Sequence, residues 1–300
     1  MKAYLPHLYF VDPARRSSAL LHTLVGFCAI EFFYGICRDA LDYVAYNLIP
    51  EEVSPFLDPD SAAGLLYDLY SFAVLAIVVA VVVHLTHRRG PRTLFGPGRQ
   101  VRRDMLRGTI GGVLLFGVLE IVLPWWDRSD VVRQPLYTWL AYLPWALLAL
   151  LVQTTAEEMF YRGYLQQQIA ARFASPLVWL TVPNIAFAAV HWYNGETFNG
   201  SVQYVLWAFA FGLAASDLTA RTGSLGAAIG FHLSNNIFAF LVVGEAGLMD
   251  GGLALFLLPP LPIGGEEAIM EADPILSTAL AVDLAILLLA WLAVRVAIRR

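Results

Sequence analysis

Charge is what this chain has least of. Asp, Glu, Lys and Arg make up 14% of its 300 residues and hydrophobic residues 58%, whereas a soluble domain carries about 25% charged residues. That balance argues against a soluble fold and for a membrane protein. Cysteine is nearly absent as well. Cys28 and Cys37 share one apolar segment about 13 Å apart along a helix, too far for a bridge within it and without metal-site spacing. Both are expected to be packing residues. No H-E-x-x-H excludes the usual zinc-protease helix, and no G-x-S-x-G excludes a serine nucleophile elbow. Gly223-Ser224-Leu225-Gly226 has a serine among glycines but no evident base, and reads as a helix entry with Ser224 as a possible N-cap. A cleavable leader is not expected, because Pro6, His7, Asp12, Pro13, Arg15 and Arg16 precede the first apolar run.

What the chain does have is apolar runs of spanning length. The expected spans are about 17–37, 66–86, 108–124, 137–161, 176–194, 201–219, 224–243 and 275–294. With no repeat and no long linker, they imply an all-α, polytopic transmembrane bundle of about eight spans, one domain over residues 1–300. The third span is glycine-rich (Gly108, Gly111, Gly112, Gly117), which suits close helix packing in lipid.

Eight spans put both termini on one side, and the basic residues segregate accordingly. That side collects Lys2, Arg15, Arg16, the seven arginines from Arg88 to Arg107, Arg162, Arg172, Arg221, Arg295, Arg299 and Arg300. The other keeps only Arg38, Arg128 and Arg133, with the acids Glu51, Glu52, Asp58, Asp60, Glu266, Glu267, Glu271 and Asp273. By the positive-inside rule both termini are cytoplasmic, and the short loops suit a bacterial inner membrane. The Arg88–Arg107 stretch is expected either to lie on anionic headgroups of the inner leaflet or to be a solvated loop. No nucleic-acid role is expected, since inner-loop charge accounts for the arginines.

Against this background, Glu157-Glu158-Met159-Phe160-Tyr161-Arg162 stands out at the end of the fourth span. Ionisable groups inside a span usually mark a site. On a helix Glu158 and Arg162 face each other at four-residue spacing, while Glu157 points about 100° away. Glu158 is therefore expected to be held by Arg162 and Glu157 to face a cavity; a buried network that only fixes packing is the structural alternative. If spans four and five form a hairpin turning near Ala174, with Ser175-Pro176 starting the second helix, Glu157 and His191 lie at one height. His232 and Asn236, four apart, project from one face of the seventh span. They could donate to an oxyanion or ligate a metal, or serve as interhelical polar glue. For His232 to reach the same level, the hairpin end with Gln166, Gln167, Gln168 and Arg172 must protrude beyond the membrane.

These residues resemble the CAAX protease and bacteriocin-processing (CPBP, or Abi) family of intramembrane endopeptidases. Glu157-Glu158 through Arg162 is similar to its E-E-x-x-x-R motif, Phe187 through His191 to its F-x-x-x-H, and His232 through Asn236 to its H-x-x-x-N. Arg221 to Gly230 resembles the usual approach to the third motif, and the resemblance covers about residues 137–243. It implies that Glu157 activates water with help from His191, that His232 and Asn236 stabilise the oxyanion, and that Glu158 and Arg162 support them. It leaves the cofactor open: a zinc ion on Glu157, His191 and His232 with one open position, or a metal-free mechanism in which Glu157 takes and returns the proton. The implied partner is a peptide or membrane-protein substrate met in the lipid bilayer, in peptide maturation, bacteriocin immunity or protein turnover. Oligomeric state is not legible. The rival class is a non-proteolytic transporter subunit or peptide-binding scaffold, suggested by Glu31, Glu120, Asp217 and Asp283 in apolar segments. Those four are scattered, and Asp217 can pair with Arg221 at four-residue spacing.

Overall fold

The computed structural model describes residues 2–47, 58, 61–122, 130–195, 197–246, 249–259 and 274–300. Except for Asp58, the acids of the two expected outer loops lie outside these residues, as does Arg128. A short α1 (Leu5–Val11) and a 3-10 segment (Asp12–Ser17) lead into α2 (Leu20–Asn47), α3 (Ala62–His87) and α4 (Gly98–Val122). Next comes α5 (Leu136–Glu158), which runs on without a break as a π-helix (Met159–Gln166) and α6 (Gln167–Arg172). The remaining helices are α7 (Pro176–Ala189), α8 (Phe198–Thr222), α9 (Gly226–Leu241) and α10 (Thr278–Ile298).

Each apolar stretch of the sequence falls on one of these helices. Among the described residues five helical stretches are long and apolar enough to cross a membrane: α2, α3, α4, Leu136–Arg172 and α10. The other three fall short for identifiable reasons. With 14 and 16 residues, α7 and α9 are about 21 and 24 Å long, less than the ~30 Å hydrocarbon core. In α8, apolarity is diluted by Gln203, Ser216, Asp217 and Arg221. Five spans follow from length and composition, and the count of eight stays an expectation. The outer surface is apolar, with Leu21, Leu24, Phe32, Ile110, Leu114, Ile121 and Val296 exposed, while glutamines, an arginine and glutamates are buried within. Such an inside-out distribution is that of a bundle solvated by lipid.

Helix α4 packs mainly on α9 and α10, and its glycines explain how closely. A Cβ on Gly112 would fall 2.0 Å from Ser234 Oγ, and one on Gly111 would fall 2.8 Å from Ala297 Cβ. Gly117 has open space around it and plays no such part. Both cysteines are free and exposed on α2, so the expectation that they pack inside is corrected. A small three-stranded sheet is the one departure from helix among the described elements. Val132–Arg133 (β1) pairs antiparallel with Phe256–Leu258 (β3), which pairs parallel with Val243–Glu245 (β2). It closes the end of the bundle where α5 begins and α9 ends.

The opposite, basic end differs most from expectation. Gln166, Gln167 and Gln168, placed by sequence on a protruding tip, are all fully buried. Residues 2–17 and the turn Pro91–Leu94 fold over them. Gln167 Nε2 donates to Phe10 O (2.6 Å) and Thr93 O (2.9 Å), and Gln166 Nε2 to Ser216 O (3.2 Å). Nor is Arg88–Arg107 simply a loop: Leu94 is buried, and α4 starts at Gly98, about ten residues before the expected span. Two left-handed glycines let the layers meet. Gly96 (φ 82°) would place a Cβ 2.6 Å from Gly223 O, and Gly223 (φ 70°), which also terminates α8, would place one 2.6 Å from Pro6 O. Ser224 is not the N-cap of α9. Leu225 holds that position, and its N–H donates to Phe95 O (3.0 Å).

Asp217 fastens the N-terminal segment to the bundle. It accepts from Tyr4 Oη (2.7 Å), from Arg221 Nε (2.7 Å) and from Trp291 Nε1 (3.0 Å). His7 is buried against Trp179, ring centroids 4.3 Å apart. Desolvation lowers its pKa from 6.5 to about 4, so the folded segment binds fewer protons than the undocked one between those values. Its contribution is therefore whole above pH 6.5 and is lost as pH falls toward 4, on the order of 3 kcal/mol in all. Proteolytic cutting within residues 2–17 of the protein in nanodiscs should rise across that window and stay flat for His7→Gln; equal pH profiles for the two would refute the linkage.

Candidate active site

The site lies where α5 meets α9, which run antiparallel. On α5, Gln153 and Glu157 are one turn apart and share a face, and on α9 so do His232 and Asn236. They meet as two rungs. Asn236 Nδ2 donates to Gln153 Oε1 (2.8 Å), and Glu157 Oε2 stands 3.5 Å from His232 Nε2. Glu158 faces the other side of the same imidazole. Its Oε1 accepts from Arg162 Nη1 (2.9 Å) and lies 2.9 Å from His232 Nδ1. The i, i+4 pairing of Glu158 with Arg162 is thus in place, and both side chains have no exposed area, against 12% for Glu157.

The chain changes helical type immediately after Glu158. The π-helix from Met159 to Gln166 is buried at all eight positions, including the Arg162 guanidinium. Bonding i→i+5 widens this turn, and such segments concentrate at functional sites. The wide turn is pressed from outside, since a Cβ on Gly163 would be 2.9 Å from Leu94 O. Sequence periodicity predicts only an ordinary helix here.

His191 stands in a 3-10 segment (Val190–Asn194) that ends α7. Its Nδ1 is 2.7 Å from Phe187 O, so Nδ1 carries the proton donated to that carbonyl, and in the neutral ring Nε2 is the acceptor. Its ring lies 4.5 Å from Phe187, and it is close enough to Glu157 and His232 to interact with both electrostatically. Aromatic walls surround the cluster. His232 meets Phe211 edge-on at 4.9 Å, and the Arg162 guanidinium lies 4.5 Å from the Phe187 ring centre.

Both ring nitrogens of His232 face carboxylates, Nδ1 toward Glu158 and Nε2 toward Glu157. Among the described residues, Glu157 Oε2 has no hydrogen-bond donor. It is an enclosed acceptor on a side chain more exposed than those of Glu158, Arg162 and His232. Among the same residues, no three His, Cys, Asp or Glu side chains stand close enough to hold one metal ion. Glu157, His191 and His232 are neighbours without forming a ligand set in this arrangement.

Two residues of the site escape the motif reading. Gln153 could have been found from its four-residue spacing to Glu157. Asn184, on α7, accepts from Arg162 Nη2 (3.2 Å) and has only its position seven residues before His191 to mark it.

A helical membrane bundle here sets two adjacent glutamates, an arginine, two histidines and an asparagine around one buried point, and the comparisons show what that core is similar to. Residues 138–238, which contain all six, match the family described as type II CAAX prenyl endopeptidase Rce1-like. Over this core, about a third of its length, the chain is similar to that family. Likeness extends to the flanking helices: the chain is 28% identical over 259 residues to Uncharacterized protein YyaK of Bacillus subtilis (strain 168), covering 81% of this chain and 85% of that protein. No solved structure matches it.

Because Glu158 and Arg162 are wholly buried, removing one partner leaves a charge without compensation. Arg162→Met should cost about 3–5 kcal/mol, read as a large fall in thermal midpoint in detergent. Arg162→Met with Glu158→Gln should cost less than the two single changes together, and strict additivity would show that the pair is not coupled.

Proposed function

We propose that this protein is an intramembrane endopeptidase that hydrolyses a peptide bond near the cytoplasmic leaflet with a carboxylate-activated water. The observation that carries the proposal is His232 held between Glu158 on Nδ1 and Glu157 near Nε2, at 2.9 and 3.5 Å. Glu158, neutralised by Arg162, keeps the Nδ1–H in place, so Nε2 faces the substrate. Glu157 takes a proton from water and the resulting hydroxide adds to the scissile carbonyl carbon. The carbonyl oxygen becomes an oxyanion, which accepts from His232 Nε2–H and from the second amide hydrogen of Asn236, the first being given to Gln153. Glu157 then returns its proton to the departing amine as the C–N bond breaks. His191, through Nε2, assists by accepting a hydrogen bond from the attacking water.

Phe187, Phe211 and the aromatic residues of the π-helix keep bulk water out, which strengthens each of these interactions. The substrate is a peptide or membrane protein that reaches the site from the bilayer. The basic end, bearing the N-terminal cap, faces the cytoplasm of a bacterial inner membrane, with both termini on that side. No step here is carried by a metal. A zinc ion on Glu157, His191 and His232 is the alternative, and it would need those side chains to draw together.

In proteoliposomes with a peptide library, Glu157→Gln should reduce cleavage by at least about a hundredfold while leaving the thermal midpoint and membrane insertion intact. Full activity in that variant would remove Glu157 from the mechanism. Activity of the parent protein should survive strong chelation; loss on chelation that zinc restores would move Glu157 from base to ligand.

A further inference from the structure

Among the described residues Arg162 is the largest fully buried side chain, and what holds it is sparse. Nη1 donates to Glu158, Nη2 to Asn184 Oδ1, and Nε has no hydrogen-bond partner among the described residues. Asn184 therefore supplies one of two polar contacts on a guanidinium that serves Glu158. Its amide has a single usable orientation. Nδ2 donates to Leu180 O (2.6 Å) and to Ser216 Oγ (2.8 Å), which turns Oδ1 toward Arg162. A flipped amide would set N–H groups against the guanidinium and turn its oxygen toward the Leu180 carbonyl oxygen, two acceptors face to face. Asn184 and Ser216 have no exposed area. The space for the amide is made by a missing side chain, because a Cβ on Gly212 of α8 would fall 2.4 Å from Asn184 Oδ1.

We propose that Asn184, anchored by Ser216 and admitted by Gly212, is a positioning residue that fixes Arg162 and, through Arg162 and Glu158, the His232 imidazole. It touches no substrate. Its effect runs along one line of contacts, Ser216–Asn184–Arg162–Glu158–His232, joining α8, α7, the π-helix, α5 and α9. Partners two steps from the chemistry that orient a reacting group typically matter by about 10–100-fold. The proposal rests on the endopeptidase reading for its effect on rate, but not for its effect on Glu158.

The test uses the full-length protein with Asn184→Leu, Gly212→Ala and Ser216→Ala. Asn184→Leu and Gly212→Ala should lower kcat about tenfold or more with KM within about twofold, the pattern of lost transition-state interactions. Ser216→Ala should act in the same direction more weakly. A second measurement needs no substrate. The infrared antisymmetric stretch of the Glu158 carboxylate, assigned by its disappearance in Glu158→Gln, should shift in Asn184→Leu and Gly212→Ala because the Arg162 hydrogen bond changes. An unmoved carboxylate band in folded Asn184→Leu and Gly212→Ala would overturn the proposal, as would a thermal midpoint that falls while kcat stays at the parent value. A shifted band together with a parent protein that cleaves no peptide would sustain the positioning of Glu158 and overturn the endopeptidase reading instead.

Discussion

The structure depends on burying four ionisable groups at one point of a lipid-solvated bundle. Glu157, Glu158, Arg162 and His232 are in mutual contact, and apart each, when charged, would face a desolvation cost of several kcal/mol. That constraint decides which surfaces can touch. It sets α5 and α9 antiparallel, with Glu157 opposite His232 and Gln153 opposite Asn236. It also places a hydrogen-bonding residue of α7 on the far side of Arg162. The aromatic walls follow, since Phe187 packs on Arg162 and Phe211 on His232, which leaves Glu157 as the most open of the four.

A second layer of buried polar groups closes the basic end. The three glutamines at the end of the π-helix would be costly in hydrocarbon without partners. Residues 2–17 and the Pro91–Leu94 turn supply two carbonyls to Gln167, while Gln166 reaches His7 and Ser216 O and Gln168 meets His87. The cap sits on the same continuous helix that carries the glutamates, so its docking and the site share one rigid element. Asp217, bonded to Tyr4, Arg221 and Trp291, is used in fastening this cap. That removes one of the four scattered acids that suggest an ion path.

Helical spacing made much of the site legible. Four-residue intervals place Glu158 with Arg162 and His232 with Asn236, and equal counts from a hairpin turn place His191 near Glu157. These rules read one helix at a time. What they miss depends on contacts between helices: Asn184 reaching Arg162 from α7, Gln153 meeting Asn236 across α9, and the π-turn pressed by Leu94. Hydropathy likewise marks all eight apolar helices. It treats the glutamines as an exposed tip because no composition rule registers that an N-terminal segment folds back over them. Ser224 departs from the capping rule for a similar reason: a bond from the Leu225 N–H to the carbonyl of Phe95, in a distant turn, fixes Leu225 rather than Ser224 at the N-cap position.

The short helices show how the two requirements are reconciled. A helix that meets lipid along its length must span the hydrocarbon, as α2, α3, α4 and α10 can. A helix that meets mostly protein is free of that demand, and α9 is buried from Gly226 through Ser234. Its length is set instead by the depth of His232 and Asn236 and by the turns that close it. With Leu225 tied to Phe95 at one end and β2 beginning at Val243 at the other, α9 is held at both ends. Fixing the helix in this way fixes the height of the imidazole between its two carboxylates.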